Sequence, residues 1–354
     1  SLGIAQNMLS GLVPPSIFNL SRLIELDLGE NNLRGRLPSD IGVTLPLLKF
    51  FSVAQNSFTG VIPTSVSNLS NLAFIQLNSN HLIGKVPSLK NLVNLRRFNI
   101  GDNSLADDLG FLSSLGNATM LSVIDIAHNN FIGTLPRIIC NFSSISYLFL
   151  SMNKISGEIP ICIEKLAKLL EFAILGNLIS GVIPDEIGKL QNLNILILAN
   201  NQLSGYIPSS VGNLTKLGYL DFSGNNLVGQ IPSSIGKCLN LLLVDLSRNN
   251  LNGSIPPEIL SVSNLARGLY LNDNKFTGHL HAEVGQLHNL VELDISSNML
   301  SGEIPSTLTS CVMLQFLNMA GNFFEGVITD GMKTLISLQN LNLSRNKFSG
   351  EIPK

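Results

Sequence analysis

The sequence predicts an α/β-type solenoid: short coils stacked as a right-handed superhelix, with one parallel β-sheet along the concave side. Three observations predict it. Asn recurs at 7, 31, 56, 80, 103, 129, 153, 177, 201, 225, 249, 274, 298, 322 and 346, giving fifteen units. Ten of the fourteen gaps are 24 residues, and the others are 23, 25, 25 and 26. A Gly follows four residues after that Asn in every unit except the one at Asn103. Composition is even throughout, without linker or block of like charge, as expected of a single repeat domain over residues 1–354.

Within a coil the elements follow in a fixed order. In residues 217–225, Leu220 and Phe222 alternate with polar neighbours, the pattern of a short strand with one face inward. The Asn that follows satisfies backbone groups where the chain turns out of the sheet. Gly then permits the turn, and an Ile-Pro step fixes an extended flank. A Leu eleven residues before the next Asn closes the coil, and short 3-10 segments are expected on the convex side. No single coil buries its own apolar face, so the stack is the stable object.

Three coils depart from the pattern. Residues 104–112 lack the Gly-x-Ile-Pro step, His281 replaces Pro in the Asn274 coil, and Thr329 replaces it in the Asn322 coil. Each is expected to change the local path of the flank. The chain opens at Ser1 within one repeat and closes at residues 352–354 within another, without flanking Cys pairs; the expectation is an uncapped portion of a longer protein.

Composition excludes several functions. Lys+Arg number 22 against 24 Asp+Glu, so no basic field exists for nucleic acid. No run of 18 apolar residues suits a membrane span. Cys238 and Cys311 stand where other coils carry Leu and read as buried core thiols. Cys140 and Cys162 lie in neighbouring coils, eleven and nine residues after their Asn. Two separate thiols are the simpler reading, and a disulfide is the alternative. His279, His281 and His288 lack convergent carboxylates, and no Gly-x-Ser-x-Gly, P-loop or His-Glu-x-x-His motif is present. The expectation is a binding surface with no catalytic residues, metal or cofactor.

Seven Asn-x-Ser/Thr sequons occur, at Asn19, Asn68, Asn117, Asn141, Asn213, Asn252 and Asn342. The first five lie twelve residues before the next ladder Asn, on the outer side, which suits glycosylation in a secretory pathway. Asn342 points out of the sheet by strand parity, so glycan there would turn ligand away from its coil. The outward strand positions lie six, four and two residues before each ladder Asn. Most are polar, among them Asp27, Gln76, Asn99, Asp125, Asp221, Asp245 and Asp294. The coils ending at Asn153 to Asn225 instead offer Tyr147, Phe149, Ala173, Leu175, Ile195, Ile197 and Tyr219. Exposed apolar side chains in neighbouring coils mark a contact surface, and these seven are the expected ligand-binding residues. Asp125, His128, Glu171 and Asp221 form the expected rim.

Residues 203–208 (Leu-Ser-Gly-Tyr-Ile-Pro) and 300–305 (Leu-Ser-Gly-Glu-Ile-Pro) resemble the plant-specific class of leucine-rich repeat. Residues 41–46 and 261–271, each one residue long for the repeat, and the irregular residues 107–115 narrow the match. Together they resemble the receptor-kinase subfamily of the rice bacterial-blight resistance receptor and the bacterial elongation-factor receptor. Leu109 departs from it, because that subfamily carries Trp after the Asp pair. The resemblance implies a parent with a signal peptide, this ectodomain, one transmembrane helix and a cytoplasmic Ser/Thr kinase. It also implies sensing of a microbial peptide or protein in innate immunity, with a repeat-containing co-receptor kinase docking near the C-terminal coils. The alternatives are a receptor-like protein without kinase, a secreted inhibitor of a microbial cell-wall hydrolase and, less suited to the sequons, a cytosolic immune receptor.

Overall fold

The protein is described by a computed structural model over residues 1–352; Pro353 and Lys354 lie outside the described residues. It divides into two compact units, the first from Ser1 to Leu178 and the second from Ile179 onward.

In the first unit, eight three-residue or shorter strands pair in parallel, from Leu2–Gly3 through Glu25–Asp27, Phe50–Ser52, Phe74–Gln76, Arg97–Asn99, Val123–Asp125 and Tyr147–Phe149 to Glu171–Ala173. In the second unit, seven do so, from Ile195–Ile197 through Tyr219–Asp221, Leu243–Asp245, Gly268–Tyr270, Glu292–Asp294 and Phe316–Asn318 to Asn340–Asn342. The middle residue of each interior strand is buried, as with Phe51, Phe98, Leu148, Leu220 and Leu293. Alternation sends its two neighbours to the open face.

The ladder Asn closes the corner as expected. Asn225 accepts from Leu203 N–H at 3.0 Å, and its amide reaches the carbonyls of Leu198, Phe222 and Ser223 at 3.1, 3.1 and 3.2 Å. The same arrangement recurs at Asn80, Asn129 and Asn153 in the first unit and at Asn249, Asn298 and Asn322 in the second. The residue just before each ladder Asn is left-handed. Twelve of these are not glycine, including His128, Met152 and Arg248 with φ of 53°, 55° and 52°. That conformation is unfavourable for an L-residue, and the hydrogen bonds on either side hold it.

Gly four residues after the Asn has a positive φ, +79° at Gly229, and in some coils the side chain five residues after the preceding coil's Asn also crowds the place of a Cβ. Tyr206 lies there over Gly229, Val182 over Gly205 and Thr134 over Gly157.

Coil length is absorbed opposite the sheet. The 24-residue coils carry 3-10 segments such as Arg137–Asn141 and Ser209–Asn213. The two 25-residue coils carry four-residue α turns instead, Ile41–Thr44 and Pro257–Leu260. A turn of 3.6 rather than 3.0 residues takes up the insertion. The 26-residue coil lengthens its 3-10 segment to Leu109–Leu115.

That last coil does change the flank path. A flanking sheet of five strands ends at Ser104–Leu105, and a new flanking pair begins with Ile132–Thr134 and Lys154–Gly157. Between them Asp107 accepts from Val86 N–H at 3.3 Å and pairs with Lys85 at 3.6 Å, while Asp108 caps the helix through Gly110 N–H at 2.7 Å. Leu109 is buried, and Phe111 packs between Phe98 and Phe131. The other two departures are corrected by the structure. His281 (φ −69°, ψ 149°) and Thr329 (φ −76°, ψ 149°) hold the same extended conformation as Pro305 (φ −62°, ψ 130°), so the flank path is kept there. Pro favours this conformation without being needed to reach it.

Candidate functional site

The open face of the first unit carries two columns in register. One reads Glu25, Phe50, Phe74, Arg97, Val123, Tyr147, Glu171. The other reads Asp27, Ser52, Gln76, Asn99, Asp125, Phe149, Ala173. Tyr147 and Phe149 lie with ring centroids 6.2 Å apart. Tyr147 stands between Val123 and Glu171, and Phe149 between Asp125 and Ala173. Leu175 follows the last strand, its N–H donating to Ser151 Oγ at 3.1 Å. All four expected residues of this unit are half-buried. Burial raises the pKa of Asp125 despite the Ala127 N–H and the positive charges of His128 and Arg97. Burial also raises that of Glu171. Both carboxyls beside this patch are thus partly dehydrated.

In the second unit Ile195, Tyr219 and Leu243 are in register, as are Ile197, Asp221 and Asp245. Tyr219 is not a free ring: the Arg267 guanidinium lies 5.4 Å from its centroid. The acidic side chains here are engaged within the unit. Asp221 Oδ1 accepts from Ser223 N–H and O–H at 3.0 and 2.7 Å. Asp294 Oδ1 accepts from Ser296 in the same way, and its Oδ2 accepts from Asn318 at 3.1 Å. Tyr270 donates its O–H to Glu292 at 2.6 Å, and burial first, then that carboxylate, pushes its phenol pKa up. Burial raises Asp245 as well, and the neighbouring Asp221 adds to it.

The structure also brings forward residues that the pattern reading passed over. Phe50 and Phe74, 6.0 Å apart, occupy the outward position six before their ladder Asn, and the same offset rule picks them out. Tyr270, four before Asn274, is picked out by that rule as well, whereas Arg267, seven before it, carries no such signal.

Six sequons, at Asn19, Asn68, Asn117, Asn141, Asn213 and Asn252, are exposed. In the five that share a repeat position, the N–H two residues on donates to the Asn carbonyl at 2.9 to 3.0 Å. Asn342 is half-buried on the sheet face and instead accepts from Ser344 N–H and O–H at 3.2 and 2.8 Å through its side chain. Cys140 and Cys162 form a disulfide, Cα to Cα 5.7 Å, which corrects the reading of two separate thiols. The 3-10 segments of adjacent coils bring unequal repeat offsets together. Cys238 and Cys311 are buried thiols donating to Val211 and Val284 carbonyls, their pKa values pushed up by burial to about 11. His279 and His288 each face a separate carbonyl, of Ser301 and Ser310. Among the described residues no group of His, Cys, Asp and Glu is placed to hold a metal, and no helix is long and apolar enough to cross a membrane.

The Leucine Rich Repeat family profile matches residues 22–43, 120–142, 144–166, 192–214, 216–238, 240–262, 289–311 and 337–354, half of the chain. No curated protein sequence matches. Among solved structures, the plant peptide hormone receptor RGFR1 in complex with RGF2 is 36% identical, with a TM-score of 0.88, over 99% of this chain and 59% of its own. The ectodomain of the Arabidopsis receptor kinase HAESA, in complex with an N-terminally extended IDA peptide hormone, is 28% identical with a TM-score of 0.81, over 99% and 67%. HAESA with IDA and the co-receptor SERK1 aligns at 26% identity and a TM-score of 0.54, over 99% and 75%. The chain thus spans less than two thirds of the length of RGFR1.

Proposed function

The chain belongs to the leucine-rich-repeat family, and from that premise we propose that it is part of the extracellular ligand-recognition domain of a plant membrane receptor kinase. One observation carries this reading. Tyr147, Phe149, Ala173 and Leu175 in the first unit, and Ile195, Ile197 and Tyr219 in the second, stay half-exposed on the open face while each coil's core is closed without them. Side chains that the fold does not need, set on the paired strands of each unit, suit an extended peptide. The likeness to RGFR1 and HAESA, both solved with peptide hormones, supports the same reading.

The occupant is a microbial peptide or protein, following the irregular residues 107–115 and the two one-residue insertions that resemble the immune-receptor subfamily. A co-receptor kinase docks near the C-terminal coils; that HAESA is solved with the co-receptor SERK1 supports a co-receptor here. Binding shifts the population of receptor–co-receptor pairs. The exposed sequons and the Cys140–Cys162 disulfide suit an oxidising, secretory compartment.

The surrounding open reading frame tests the receptor assignment: a single transmembrane segment and a kinase domain are expected downstream, and a stop codon after one cap overturns it. Expression through a plant or insect secretory pathway tests the compartment. Glycosidase should lower the intact mass, and an unchanged mass contradicts the extracellular assignment. Glycopeptide mapping that finds Asn342 bare removes the case for glycan excluding ligand from that coil.

A further inference from the structure

Apart from the apolar patch, the first unit holds a second candidate site at the edge where its chain enters the sheet. Successive backbone bonds, Ala73 N–H to Lys49 carbonyl and Arg96 N–H to Ala73 carbonyl, each 2.8 Å, set Lys49, Ala73 and Arg96 in one row. The small Ala73 between two long cations leaves a notch. Phe50 and Phe74 wall it on the sheet side, and Asn71, Asn94 and Met120 line its outer side. The cavity is about 490 Å³, with Glu25 as its one carboxylate.

The charges in this notch are unspent. Lys49 and Arg96 are exposed and make no ion pair among the described residues. Arg96 reaches only Met120 Sδ, at 3.9 Å. Arg97, in the next column, acts on Asp125. In the second unit the equivalent cation, Arg267, lies over Tyr219. Two strands of separation put Lys49 and Arg96 about 10 Å apart along the sheet, so both side chains can close on one anion lying over Ala73. Half-buried aromatic walls reduce the water around such a pair and strengthen it.

We propose that this notch is a subsite for an acidic side chain of a bound peptide, with a neighbouring aromatic or aliphatic side chain seated against Phe50 and Phe74. Its biological occupant rests on the reading of the chain as a peptide receptor, whereas the notch itself is tested without that reading. The probe is the dipeptide N-acetyl-Glu-Phe-amide, titrated against the whole chain with ¹³C-methyl methionine; the Met120 methyl reports the notch, and Met152 and Met299 serve as controls. A saturable shift at Met120 is expected, at least tenfold weaker for the Gln-Phe analogue and in Arg96→Gln and Lys49→Gln. Glu25→Gln should strengthen binding by removing the opposing carboxylate. No saturable shift, an equal response to Gln-Phe, or a response unchanged in both cation variants overturns the subsite. A failed titration beside a confirmed kinase reading frame would remove the notch and leave the receptor assignment standing.

Discussion

The corner where each coil leaves the sheet and the open face of that sheet lie only a few residues apart in sequence, yet they follow opposite rules. At the corner one residue type, Asn, repeats, and its side chain is fully hydrogen-bonded; Asn225 serves four backbone groups. On the face residue types vary freely, from Phe149 to Asp125 to Arg97, because no core contact constrains them. On the proposed function, the difference separates stability from recognition within a single strand and turn. Changes at the corner should cost folding and spare no particular ligand, while changes on the face should cost ligand and spare folding.

Asn225→Ala should therefore have the largest effect. It removes the partner of the Leu203 N–H and one of the two donors at each of the Leu198, Phe222 and Ser223 carbonyls, four bonds at roughly 1 kcal/mol each, so about 4 kcal/mol in total. Asn7, at the exposed first coil, keeps only local carbonyl bonds, and Asn7→Ala should cost about 1 kcal/mol. Equal losses in denaturant titrations would erase the distinction between an interior ladder and its end.

Gly229→Ala comes next. It adds about 1–2 kcal/mol of backbone strain and meets the ring of Tyr206. Gly278→Ala, with φ +79° and Ser254 Cβ at an ordinary 3.7 Å, carries the backbone cost alone. A larger melting loss at Gly229 that Tyr206→Ser partly restores is expected; identical losses would deny the steric role of the flank residue.

On the face, Phe149→Ala should leave the melting temperature unchanged and weaken cognate ligand by at least about 1 kcal/mol. Tyr219→Ala should weaken it similarly, but with a small melting loss, because its ring also supports Arg267. Unchanged affinity in both variants, with melts intact, would sink the face as a ligand surface.

The smallest effect belongs to Asp245→Asn. Burial raises the folded pKa of Asp245, so its charged form is disfavoured in the folded protein. Stability is then lost as pH rises from the unfolded carboxylate range through the folded pKa, and it is fully present below. The Asn variant should melt slightly higher at neutral pH, and the gain should vanish in acid. A loss at neutral pH would show that the Ser247 contact outweighs the charge.

Much of the corner was legible because residue identity and backbone role coincide there. The ladder Asn, the following Gly and the alternating apolar positions each do one job in every coil. The left-handed residue before the Asn was hidden, because Gln6, His128, Met152 and Arg248 share a conformation and no chemistry. Hydrogen bonds on both sides impose it. The Cys140–Cys162 disulfide escaped because unequal repeat offsets meet across adjacent 3-10 segments. His281 and Thr329 misled in the other direction: a missing Pro suggested a changed path where neighbouring coils hold the path fixed. On the face, parity found Tyr147 and Phe149, but nothing in it relates Arg267 to a ring two coils earlier.

The side chain that each coil lays on the next coil's glycine gives the stack a direction and a phase. Tyr206 faces Gly229, and Gln230 faces Gly253. Excising residues 226–249, one whole period, would set Tyr206 over Gly253 and create no new kind of contact. Excising half as much would drive Tyr206 against a side chain in place of a glycine. The number of coils is thus adjustable in whole periods, whereas their phase is not, and a protein built this way can lengthen its open face without redesigning any joint.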